Sequence, residues 1–165
     1  THSGRRIHFA SAMTLLGLSD GCDAKTGNGY LDIVDFILQN CCDVRENLSQ
    51  LFRRVAFNIA IGNSDDHFRN HGFVLTSRGW TLSPAYDMNP TLNNCQSLLI
   101  NSSTNDANFQ ILQDSCEEYM IAKNDACTII EEVRQGVRQW ETLAISLGIS
   151  KRERNMFAQV YNKTI

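Results

Sequence analysis

A polar run bracketed by glycine interrupts an otherwise helical sequence, and that interruption sets what the chain can fold into. The run is Ile61-Gly62-Asn63-Ser64-Asp65-Asp66-His67-Phe68-Arg69-Asn70-His71-Gly72. Before it, Leu48, Leu51, Phe52, Val55, Ala56 and Ile59 recur at helical spacing, with Arg53 and Arg54 on the polar face. After it come two short β-type runs, Phe73-Val74-Leu75 and Trp80-Thr81-Leu82, and Thr76 to Gly79 predicts a hairpin turn between them. Ser83-Pro84 closes the second run. The fold class that follows is mainly α, with one short β-hairpin beside the polar run.

The flanks agree with a helical reading. Ile7, Phe9, Ala10, Met13, Leu15 and Leu16 predict a first helix ending at Gly17. Residues 18–29 are rich in Gly, Asp, Ser and Asn and read as a loop. Tyr30, Ile33, Val34, Ile37 and Leu38 predict a second helix. Residues 89–108 predict a long loop with a short strand over 97–100. Ala126, Ile129, Ile130, Val133, Val137, Trp140 and Ala144 predict one continuous helix, and Ser150 with Glu153 forms a capping-box signature for a last helix through Tyr161. Trp80 and Trp140 read as packing residues. No internal repeat or linker divides the 165 residues, so 1–165 reads as one domain.

Composition narrows the function classes. The net charge is -3, against the basic excess usual for a dedicated nucleic-acid binder. Apolar runs fall far short of the ~20 residues a membrane helix needs. The six cysteines contain no C-x-x-C pair, and Cys41 and Cys42 are adjacent, so the expectation is reduced thiols in a cytoplasmic protein. The first residue is Thr1, so a piece cut from a longer protein is expected.

Chemistry concentrates in the polar run. Asp65 and Asn70 are spaced as D-x-x-x-x-N, the spacing of a kinase catalytic loop. A carboxylate there can take the proton of an attacking hydroxyl, and an amide oxygen can bind magnesium, which prefers hard oxygen donors. Asp87 follows the hairpin in Tyr86-Asp87-Met88, where a kinase places its second metal ligand. Asp65 thus reads as base, and Asn70 and Asp87 as metal ligands. Taken singly, Asp65 could be a loop cap and Asp87 an Asx-turn residue. Arg69 is close enough to contact a phosphate or a carboxylate. His67 and His71 have the spacing of a metal pair but lack a third ligand, so His67 is expected to brace the loop by hydrogen bonding and His71 to be structural. Arg53 and Arg54 are expected on a solvated helix face.

The stretches Arg54 to Phe73 and Gly79 to Pro90, with Gly4 to Gly17, resemble the C-terminal lobe of HipA-type serine/threonine kinases, the toxins of bacterial toxin–antitoxin pairs. The resemblance implies a protein-kinase-like C-lobe that moves the ATP γ-phosphoryl group to a protein hydroxyl. It makes Asp65 the catalytic aspartate, Asn70 and Asp87 the magnesium ligands, and His67 and Arg69 companions of the catalytic loop. Asp66 stands where the family often has a small residue, and Met88 replaces the phenylalanine that follows the metal aspartate. The resemblance also implies an antitoxin partner and a target in translation such as an aminoacyl-tRNA synthetase. No Gly-rich phosphate loop or V-A-I-K lysine is found, so the ATP-clamping lobe and the activating phosphoserine are expected upstream of Thr1, and the chain alone is expected to be inactive. A different class of function is outlined at 140–161, where helix, Gly-containing turn and helix carrying Lys151, Arg152 and Arg154 suggest a DNA-binding helix-turn-helix. The acidic balance favours two packed helices there, with no direct nucleic-acid contact and no membrane contact.

Overall fold

The computed structural model describes residues 6–91 and 95–164. The element around which the others pack is the helix that precedes the polar run, α3 (Val44–Ile61), introduced after β1 (His8–Ser11), α1 (Ala12–Leu15) and α2 (Tyr30–Asn40). Its stripe of Leu48, Leu51, Phe52, Val55, Ala56 and Ile59 is at most 1% exposed. That stripe repeats at helical spacing, so one face is apolar along the whole helix and drives burial against several neighbours. Those neighbours are α2, β3 (Gly79–Leu82), which follows β2 (Gly72–Thr76), α4 (Phe109–Asp114), α5 (Lys123–Arg138) and, beyond α6 (Trp140–Ser146), α7 (Lys151–Thr164). Gly62 ends α3 in the left-handed region, with its N–H closing onto the carbonyls of Asn58 and Ile59. A Cβ there would stand 2.3 Å from Val160 Cγ1 of α7, so the site demands glycine for conformation and for space.

The hairpin is present, but it belongs to a three-stranded antiparallel sheet in the order β1-β2-β3. The expected first helix is strand over His8–Ser11 and helix only from Ala12. The reason is tertiary: β1 pairs with β2 from His8 opposite Leu75 to Ser11 opposite Gly72, and Ser11 then caps α1 by accepting from the Thr14 N–H. Short helical periodicity loses to a ladder that the sequence cannot reveal locally.

Two further expectations are corrected. Residues 97–100 form no strand; Leu99 makes one parallel bridge to Gly29, while Leu98 and Ile100 drop into the core. The long helix through Trp140 breaks at Gln139, and α6 starts afresh, which lets Trp140 lie on Tyr161 of α7 with ring centroids 4.5 Å apart. An apolar repeat registers burial on both sides of such a break and does not see the bend. The capping box does form: the Ser150 hydroxyl donates to Glu153 Oε2 at 2.7 Å, and the Glu153 N–H returns to Ser150 Oγ at 3.3 Å. Trp80 and Trp140 are half-buried and all six cysteines are free. Among the described residues, no helix is long and apolar enough to cross a membrane.

Candidate active site

The polar run is held from several directions. Asn63, buried beneath the loop, donates its amide to Asn58 Oδ1 at 3.0 Å and accepts the Asp65 N–H at 3.3 Å. Thr91 reaches back from beyond Asp87: its hydroxyl donates to the Gly62 carbonyl at 2.7 Å and accepts the Ser64 N–H at 3.0 Å. Ser97 donates to the Ser64 carbonyl at 2.7 Å. Together these contacts fix the turn that carries Asp65, whose side chain is exposed.

The neighbouring aspartate does the opposite. Asp66 is 3% exposed and accepts hydrogen bonds from the Tyr30 hydroxyl at 2.6 Å, the Asn58 amide and His71 Nε2 at 2.9 Å. Burial alone would push its carboxyl up. The charge and hydrogen bond of His71, the Tyr30 hydroxyl and the charge of His67 reverse that, and hold it below the usual carboxylate range. The Tyr30 hydroxyl is raised well above its ordinary value by burial first and by Asp66 second. Sequence reasoning gave Asp66 no role. Its signal lay in Asn58, a polar residue set among the apolar positions Val55, Ile59 and Ala60 of α3.

A single 3-10 turn, Phe68–Asn70, follows. Phe68 anchors it in the core at 2% exposure. The turn brings Asn70 back to Asp65: the Asn70 amide nitrogen donates to the Asp65 carbonyl at 3.2 Å, which leaves the amide oxygen as the atom that could ligate a metal. Asn70 and Asp65 are therefore brought together through the loop backbone. Arg69 is exposed and its ion pair is with Asp20, a carboxylate contact. His71 is structural, with Nε2 on Asp66 and its ring edge-on to Tyr30. Of His67, the buried Nδ1 meets no hydrogen-bond partner among the described residues, and the hydrogen bonds that brace the loop here converge on Asp66.

The segment with Asp87 is tied to the same turn. The Ser83 N–H donates to the Gly72 carbonyl at 2.8 Å, and Arg54 Nη2 donates to the Ser83 carbonyl. Arg54 is thus buried rather than on a solvated face, because its guanidinium closes the end of β3; burial lowers it to about 10, opposed by Asp66 and Tyr86, so it stays charged at neutral pH. Arg53, by contrast, is partly exposed and pairs with Glu132 at 2.8 Å. The Tyr86 hydroxyl donates to the Arg69 carbonyl at 2.6 Å. Asp87 follows, exposed, at a φ of 56°, with Oδ1 accepting the Asn89 amide at 2.8 Å. Its carboxylate makes no hydrogen bond to Asp65 or Asn70; the link between them runs through the backbone of their neighbours.

Among the described residues, no three His, Cys, Asp or Glu side chains gather around a metal position. One amide oxygen and one exposed carboxylate nevertheless fit the pattern magnesium takes with substrate phosphates, where the protein supplies one or two hard oxygens and the phosphates supply others. The C-terminal pair is built differently. Val160 covers Gly62 and Tyr161 meets Trp140, so α7 is packed on the end of α3, with Lys151 and Arg152 exposed at its start.

Residues 1–140 match the family model described as HipA-like C-terminal domain. No curated protein matches the sequence. Among solved structures, a chain of the HipA, HipB and operator DNA complex of the Shewanella oneidensis MR-1 toxin–antitoxin system superposes with a TM-score of 0.77 at 17% identity. That match covers 96% of this chain and 42% of the other, so the chain spans less than half the length of its structural neighbour.

Proposed function

Because the chain belongs to the family of HipA-like C-terminal domains, we propose that it is the catalytic C-terminal lobe of a serine/threonine-protein kinase. The reaction is transfer of the ATP γ-phosphoryl group to a protein hydroxyl. The acceptor oxygen bonds to the γ-phosphorus, the bond to the bridging oxygen of ADP breaks, and Asp65 takes the hydroxyl proton. Asp65 suits this role because it is exposed at the tip of a loop fixed from below by Asn63, Thr91 and Ser97. The Asn70 amide oxygen and the Asp87 carboxylate would hold magnesium. When bound, that ion neutralises phosphate charge as it builds up. Arg69, exposed next to Asn70 in sequence and paired with Asp20, is the loop's cation in this reading.

The observation that supports this reading most is the double tie at one turn. The Asn70 amide bonds the Asp65 carbonyl, and Tyr86 bonds the Arg69 carbonyl, so the loop carrying Asp65 and Asn70 and the segment carrying Asp87 beyond the hairpin are tied to one another. The nucleotide clamp is assigned to the part of the whole protein outside these residues, and the chain alone is expected to turn over poorly. In the cell we place it in the cytoplasm as the toxin of a pair, with an antitoxin protein as partner, as HipA stands beside HipB in the neighbouring structure. A protein of the translation machinery is the proposed substrate.

The test is Asp87→Asn in the full-length protein. Loss of magnesium-dependent nucleotide binding, with an unchanged unfolding midpoint, is the expected result. Binding equal to wild type would remove Asp87 from the site.

A further inference from the structure

The two proposed metal ligands lie on separate segments, and one hydrogen bond joins those segments next to both of them. Arg69 is the residue before Asn70, and Tyr86 is the residue before Asp87. The Tyr86 hydroxyl donates to the Arg69 carbonyl at 2.6 Å. Resting on the phosphotransfer reading above, we propose that Tyr86 is a positioning residue, whose hydroxyl sets the distance between the Asn70 amide and the Asp87 carboxylate.

The segment from Ser83 to Thr91 is hydrogen-bonded to the body of the fold at three places, while Met88 adds an apolar contact with the core that leaves direction and distance to the polar ties. Ser83 is fixed by Gly72 and Arg54 at one end, and Thr91 by Gly62 and Ser64 at the other. Both ends are several residues from Asp87. Between them, Tyr86 carries the one side chain among the described residues that hydrogen-bonds to the 61–72 run. Asp87 itself needs such a support. Its φ of 56° lies in the left-handed region, which Asp enters more readily than most residues but which still leaves the segment's distance from Asn70 to be set by a contact outside it. The Asn89 amide on Asp87 Oδ1 orients the carboxylate within the segment, but does not locate the segment against Asn70.

The sheet completes the support. Gly72 has no side chain, and the Phe9 ring of β1 occupies that space: a Cβ would lie 2.3 Å from Phe9 Cε2. Phe9 in turn meets the Tyr86 ring, with centroids 6.0 Å apart. β1, which the sequence disguised as helix, thus supplies the wall against which Tyr86 is oriented. A loss of the hydroxyl alone keeps this packing and frees the segment at one point. Groups that orient metal ligands from outside the coordination sphere commonly tune affinity in this way.

Tyr86→Phe in the full-length protein tests the proposal, with Mn2+ as probe and free Mn2+ read by electron paramagnetic resonance beside a non-hydrolysable ATP analogue. The Mn2+ dissociation constant should rise roughly 5- to 10-fold, the effect of one hydrogen bond of ordinary strength. The Mg2+ concentration for half-maximal phosphotransfer should rise in parallel, and the rate at saturating Mg2+ should return close to wild type. A variant with a lower unfolding midpoint and unchanged Mn2+ affinity would overturn the proposal by reducing Tyr86 to a packing residue. Asp87→Asn in the same assay separates the two levels: if it binds Mn2+ as tightly as wild type, the metal-site reading itself fails, whatever Tyr86→Phe does.

Discussion

Two glycine-containing turns follow helices in this molecule, one after the buried α3 and one after the largely exposed α6, and they are held in opposite ways. The turn at 62–72 is fixed by side chains from far along the chain: Tyr30 and Asn58 on Asp66, Thr91 and Ser97 on Ser64, Tyr86 on Arg69. The turn at 147–150 is fixed by its own neighbours, through Ser150 and Glu153, and Leu143, Leu147 and Ile149 around it stay exposed. A local cap is enough to start a helix, but it places nothing relative to the rest of the fold. A long-range polar network costs desolvation and ordering, and what it supplies is a geometry fixed across several elements. That difference argues for chemistry at the first turn and for ordinary packing at the second.

The largest effect should come from the residue at the centre of the network. Asp66→Ala leaves Tyr30, Asn58 and His71 buried without their acceptor, at a cost of about 3–5 kcal/mol. Thermal unfolding should shift down by roughly 10 °C. The same variant carries a pH signature. The Asp66 carboxyl is held below its ordinary value in the folded state, so the unfolded chain binds more protons near pH ~4. Its stabilisation is complete above that pH and is lost as pH falls through the lower folded value, so the acid limb of the stability curve should be shallower in Asp66→Ala. An equal acid limb would show that Asp66 is not the group that couples folding to protons.

A smaller effect sharpens the comparison through glycine. Gly62 and Gly148 both have positive φ, at 66° and 75°. A Cβ on Gly62 meets Val160 at 2.3 Å, while one on Gly148 meets nothing within 4 Å. Ala at Gly148 should cost about 1 kcal/mol for backbone conformation alone. Ala at Gly62 should cost ~2–3 kcal/mol, the same strain plus overpacking. Chemical denaturation of both variants checks the order; equal losses would mean that α7 yields readily and is not docked on α3 as described.

The two turns also differ in how much of them the sequence displays. Asp65, Asn70 and Asp87 are singled out as candidates by spacing, because a loop motif and a hairpin leave marks within a short stretch. α2, α3 and the hairpin are legible for the same reason: periodicity and turn residues are local. β1 is not, since its partner lies at Gly72–Thr76 and its own residues spell a weak helix. Asp66 is harder, since its donors come from α2, α3 and the residue before β2, and the one mark they leave is Asn58 set among apolar positions of α3. Arg54 is misread by its neighbour: beside Arg53 it looks like half of a solvated pair, until the end of β3 arrives to use it. For β1 and Arg54 the deciding partner is tens of residues away, and for Asp66 one of three donors, Tyr30, is.

The claim that adjacent aspartates divide the work, Asp65 for chemistry and Asp66 for architecture, is tested most directly by Asp65→Asn in the full-length protein, with phosphotransfer rate and unfolding midpoint taken on the same sample. The account predicts a rate lower by about 10²–10⁴-fold, the contribution of a positioned general base, with the midpoint unchanged. A wild-type rate in Asp65→Asn would contradict it.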